Sequence, residues 1–102
     1  MKYVYLIRSQ ESGLYKIGVS KKPKIRLKQL QTGNGEDLIL IESFLSKYPT
    51  LVEKAVHRKY SPNKKRGEWF SLGIAEEVTF ISECEKIEKN IEYLVIEGNE
   101  FI

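Results

Sequence analysis

Hydrophobic and polar positions along the chain change period several times, and each change marks an element. Tyr3 to Ile7 are aromatic and branched and predict a strand. The polar, glycine-containing segment Arg8 to Gly13 predicts a hairpin connection, and Leu14 to Val19 a second strand paired antiparallel with the first. Side chains alternate along that strand, so Tyr15 and Ile17 share one face and Lys16 takes the other. Gly18 lacks a Cβ, which permits either a positive-φ turn or close approach by a neighbour.

From Lys21 the pattern becomes helical, with Pro23 near the start, Gly33 just past the end, and Ile25, Leu27 and Leu30 as the apolar face. Arg26 falls at the border of that face, where its stem can pack while its guanidinium reaches toward the hairpin. Leu38 to Leu45 is nearly all apolar and predicts a central strand buried on both faces. Thr50-Leu-Val-Glu53 matches a capping box opening a second helix. That helix carries Val52, Ala55 and Val56 on one side and Glu53, His57 and Tyr60 on the other.

Ser61 to Gly67 reads as a basic loop, followed by Trp69 and Phe70, which point to opposite faces if extended. Ile74, Val78, Ile81, Cys84, Ile87 and Ile91 recur at spacings of three and four, the mark of a long amphipathic helix. Tyr93 to Ile102 is expected to add a short strand or fray. The expected fold is α+β: a small three-stranded central sheet, made of the amino-terminal hairpin and a third strand, flanked by helices and followed by the long carboxyl-terminal helix.

Composition narrows the class. A chain of 102 residues with 41% hydrophobic and 30% charged residues is one domain, able to bury a core. With one cysteine, Cys84, and one histidine, His57, it has neither an internal disulfide nor a Cys/His zinc set, so any metal would be a hard, carboxylate-bound ion. No apolar run approaches a membrane span, and the first residues lack a signal peptide's apolar centre, so the expected location is cytoplasmic with no membrane partner. The net charge of +3 is modest but uneven. Basic residues crowd Lys21 to Lys28 and His57 to Arg66, and acids follow from Glu76 onward, which suggests a polyanion-facing front and an acidic back.

Tyr3-Val4-Tyr5, then ten residues, then Lys16-Ile17-Gly18, resembles the paired signature of the GIY-YIG nuclease superfamily. Arg26, Glu53 and the ending Gly67-Glu68-Trp69-Phe70 follow in the expected order, and the ending is most similar to the short phage and viral branch, often labelled DNA-binding domains. The resemblance covers about residues 1–72 of a single domain spanning 1–102, leaving the carboxyl-terminal helix and tail, 73–102, outside it. Tyr3 stands where the family has its first glycine, and Lys16 where it has its second tyrosine, with Tyr15 adjacent.

The resemblance implies a metal-dependent endonuclease that hydrolyses DNA with little intrinsic sequence specificity, or a non-catalytic DNA-binding module on the same fold. It implies Mg²⁺ (or Mn²⁺) held by Glu53, a scissile phosphate held by Arg26, and a proton moved by Tyr5, Tyr15 or Lys16 with His57 nearby. Lys21, Lys22, Lys24, Lys28, Arg58, Lys64, Lys65 and Arg66 are the candidates for the phosphate backbone. The long last helix is a candidate oligomer interface. Each residue also has an ordinary use: Glu53 can close the capping box with Thr50, Arg26 can be a surface helix residue, and His57 can pair with Glu53 one turn away.

Overall fold

Side-chain alternation in the first two strands sorts everything else onto two faces. In a computed structural model, which describes residues 1–98, β1 (Lys2–Ser9) and β2 (Tyr15–Ser20) pair antiparallel with Tyr5 opposite Gly18 and Leu6 opposite Ile17. The connection turns at Gly13, whose φ of 73° is the left-handed conformation that glycine adopts without strain. One face of the hairpin presents Tyr5, Ile7, Lys16 and Gly18; the other presents Val4, Leu6, Tyr15 and Ile17.

Helix α1 (Pro23–Thr32) covers the first face, where Leu27 and Leu30 pack against Tyr5, Ile7 and Leu38. Helices α2 (Pro49–Lys59) and α3 (Ile74–Ile96) cover the second, burying Val52, Val56, Phe80, Cys84 and Ile91 against Val4, Leu6, Tyr15 and Ile17. The acids of α3 therefore lie behind the sheet from the lysines of α1.

The sheet has five strands, not three, in the order β3-β1-β2-β5-β4. The two additional strands, β4 (Lys64–Arg66) and β5 (Trp69–Phe70), lie in the stretch whose composition reads as loop. Strands of three and two residues are too short to show a period, and a tight turn at Gly67, φ 56°, is what folds them together. As alternation requires, Trp69 joins the α1 side and Phe70 the α2–α3 side.

Strand β3 (Leu38–Ser46) is an edge strand, whereas its apolar run reads as central. A register shift opposite Leu6 and Ile7 explains the run: Leu38 and Leu40 pack on the α1 side, and after the irregularity Ile41 and Phe44 pack on the other. The strand thus serves both faces in turn rather than being enclosed by both.

Three further details depart from the pattern reading. Helix α2 begins at Pro49 with no side-chain cap, so Thr50 and Glu53 form no capping box and the Glu53 carboxylate is left for other partners. Tyr60, at the end of α2, turns into the core instead of lining up with Glu53 and His57. In α3, Ile74 and Val78 are exposed while Phe80 takes the buried position, and the helix continues through Tyr93 to Ile96 where a short strand was one expectation. The remainder of that tail, 99–102, lies outside the described residues. Among the described residues no helix is long and apolar enough to cross a membrane.

Candidate functional site

Where β5 stops, the edge of β2 is left open, and this is where polar side chains gather. On β2, the residues paired with β5 are Tyr15 and Lys16 alone. The next carbonyl, that of Ile17, is met instead by a side chain of α2: His57 Nε2 lies 2.9 Å from it and donates its proton. That bond fixes the imidazole through Nε2, and Nδ1 is the ring nitrogen it does not engage. The ring also packs edge-on against Phe70, centroids 5.0 Å apart.

Glu53 lies one turn before His57 on α2, on the same side. Its carboxylate, a ring nitrogen of His57 and the carboxylate of Glu68 offer ligand atoms that all lie within 4.8 Å of one another. Burial is the main cause that raises the Glu53 pKa; Glu68 adds to the rise, and His57 and Lys16 oppose it. Two carboxylates and an imidazole at this spacing suit a divalent cation. The two hard oxygen donors fit Mg²⁺ or Mn²⁺, which keep several waters of their own, and the imidazole favours Mn²⁺ of the two.

Lys16 is the one buried charged residue among the described residues, 8% exposed. Its ammonium pairs with Glu68 at 3.0 Å and lies 5.6 Å from the centre of the Trp69 ring. Only the lysine end of this pair is buried, the Glu68 side chain being 47% exposed, so solvent screens the attraction while Lys16 still loses most of its hydration and the pair contributes little net stability. Lys16→Met is therefore expected to leave the midpoint of thermal unfolding unchanged or to raise it, as read by circular dichroism. A drop of several degrees would instead make Lys16 a structural residue.

On the same face Tyr5 lies almost wholly buried against the bare backbone of Gly18. Burial raises the Tyr5 pKa, and the neighbouring Arg26 guanidinium works against the rise. Tyr5 is also within the electrostatic reach of both Glu68 and Glu53. Glu53, His57, Glu68 and Lys16 thus meet at one spot, and Tyr5, with Arg26 beside it, lies within electrostatic reach of the two carboxylates.

Tyr15 does not join them. It faces the opposite side of the sheet, where its hydroxyl donates to Glu77 at 2.7 Å, and Arg8 donates to the same oxygen at 2.6 Å. Burial and the bond to Glu77 raise its pKa, so it stays a neutral phenol that ties α3 to the sheet.

Of the candidate backbone-binding residues, Lys21, Lys22, Lys24 and Lys28 are exposed on the α1 side of the site, and Lys64, Lys65 and Arg66 are exposed on β4. Arg58 is set apart from them: it lines a groove between α2 and α3 with Ile87 and Ile91. Glu68 was not among the candidates. Within a four-residue ending its carboxylate looks like a surface group, and only the two short strands around it bring it beside Lys16.

Residues 2–87 match the T5orf172 domain family. The chain belongs to the T5orf172 family. The match of the T5orf172 domain takes in every residue of the cluster and runs on into α3, past the stretch over which the sequence resembles the nucleases. No curated protein and no solved structure matches the T5orf172 chain significantly.

Proposed function

We propose that this T5orf172 domain is a metal-dependent endonuclease of the GIY-YIG type, hydrolysing DNA phosphodiester bonds with little intrinsic sequence specificity. The observation that carries this reading is the convergence of two carboxylates and an imidazole beside Tyr5, Lys16 and Arg26. The family is phage-associated and compatible with an endonuclease-like role, which supports the same reading.

In this scheme Glu53, Glu68 and His57 would hold the divalent ion. When bound, it supplies Lewis-acid polarisation of the phosphate and a more acidic water. Arg26 presents a planar fork to two phosphate oxygens and draws the scissile group against the end of the Tyr5 side chain. Tyr5, kept neutral by its burial, fixes the attacking water with its hydroxyl; the adjacent guanidinium lowers the cost of its giving up or relaying a proton. Lys16 is aimed by Glu68 and Trp69, and its cation offsets charge that develops on the phosphate. The exposed lysines of α1 and the basic residues of β4 flank the cluster and take the backbone on either side.

The test is plasmid relaxation. Purified protein is expected to nick supercoiled DNA with Mg²⁺ or Mn²⁺ and to stop in EDTA, and Arg26→Ala and Lys16→Met are each expected to slow nicking by about a hundredfold or more. Retained cleavage in both variants would remove this site from the reaction. DNA retained on a filter but never cut, under every metal condition, would support the binding-module reading instead.

A further inference from the structure

A cavity of about 390 Å³ opens beside the candidate site, between the start of α1 and strands β1 and β3. Its lining is mostly apolar, made by Tyr3, Pro23, Leu40 and Ile25 with Ser43 beside them, and Ile25 is 49% exposed on a helix whose other exposed residues are polar. Lys22 and Lys24 stand at its mouth, and Lys21 precedes them. Tyr3 is two residues before Tyr5 on the same face of β1, and Ile25 directly precedes Arg26. Two residues of strand span about 7 Å, a distance that one nucleotide of a strand can bridge.

A slot that is apolar within and cationic at the rim suits a ligand that is flat and weakly polar in one part and strongly anionic in the next. A nucleotide in a strand meets both demands at once. A base stacked inside a duplex offers only its edges, so the slot can take a base only after it has left the stack.

We infer that this cavity is a nucleobase pocket, which receives one unpaired base next to the phosphate held at Arg26. The Tyr3 ring and Ile25 contact the base, while Lys22 and Lys24 hold its flanking phosphates. The inference rests on the DNA reading proposed above and adds to it a preference for DNA with a bulged or unpaired nucleotide.

The test uses two duplexes of the same sequence, one fully paired and one with a single unpaired 2-aminopurine, bound in EDTA so that the strands stay intact. The protein is expected to bind the bulged duplex about tenfold more tightly, with a change in 2-aminopurine fluorescence on binding. Tyr3→Ala and Ile25→Ser are each expected to bring the ratio of the two affinities close to one. Both affinities come from the same protein sample, so a partial folding loss cancels from the ratio.

Equal affinities in the unaltered protein, or a ratio that survives both substitutions, would overturn the pocket while leaving plasmid nicking untouched. Uncut plasmid with the ratio intact would overturn the nuclease reading alone. Binding to neither duplex would overturn both.

Discussion

Glu53→Gln is expected to abolish metal-dependent nicking, by about a thousandfold or more, while the protein itself becomes harder to unfold. The loss follows from removing one of the two carboxylates that meet at the cluster, since metal-assisted stabilisation of a phosphoryl transition state is worth several kcal/mol. The gain in stability follows from the direction of its pKa. Burial raises the Glu53 carboxyl above its ordinary value of 4.5, so the folded protein holds this proton more firmly than the unfolded chain does.

A raised pKa in the folded state means that the stabilising contribution is complete below pH 4.5 and is lost as pH climbs through the folded value. Glutamine, which never ionises, escapes that loss. The difference in unfolding midpoint between the variant and the unaltered protein should therefore be small near pH 4 and widen toward neutrality. Adding Mn²⁺ at neutral pH should raise the midpoint of the unaltered protein and not that of the variant. Differential scanning calorimetry across pH, with and without the ion, measures all of this. A midpoint difference that shrinks with rising pH would show that Glu53 is stabilised, not strained, by its surroundings.

Gly18→Ala is expected to damage both the fold and the chemistry. A Cβ at this position would lie 2.6 Å from Tyr5 Cζ and 3.1 Å from Cε2. Gly18 has no positive φ, so its requirement is proximity alone: the Tyr5 ring lies across the bare backbone of the facing strand. Tyr5 is 2% exposed, with Leu27, Leu30, Ile7 and Leu38 in the same cluster, so the ring has no free direction in which to retreat.

Overfilling such a site costs about 1–3 kcal/mol, and in a domain of this size that lowers the unfolding midpoint by roughly 5–20 °C. The hydroxyl would move away from Arg26 as well, and a displacement of about 1 Å is enough to cost about a hundredfold in rate. Combining Gly18→Ala with Tyr5→Leu should recover much of the lost stability and none of the nicking, a coupling that a double-mutant cycle resolves. Equal midpoints for Gly18→Ala and the unaltered protein would show that the ring yields easily.

Much of the architecture is legible in the amino-acid order because its elements are long enough to show a period. The hairpin, the helix opening at Pro23 and the helix carrying Val52 and Val56 all follow from patterning and punctuation. Elements without a period are where structure and pattern part. The β4 and β5 strands are too short for any period, so the three-stranded expectation omitted them, and Glu68 stayed out of view with them. The irregularity in β3 let one apolar run serve two faces, which in sequence looks like a strand enclosed by both.

Which tyrosine belongs to the site depends on a one-residue shift. Tyr15 and Lys16 are neighbours in sequence, yet alternation puts the first beside Glu77 and the second beside Glu68. The fate of Glu53 turned on where α2 begins: a start at Pro49 without a side-chain cap frees the carboxylate that a start with Thr50 as the cap would have engaged.

The two-residue length of β5 has a further consequence for α2. Had that strand run on beside Ile17, the sheet would have answered its own carbonyl and the imidazole would have had no seat there. The place where a two-residue strand ends therefore decides whether a helix side chain can dock on this sheet edge at all.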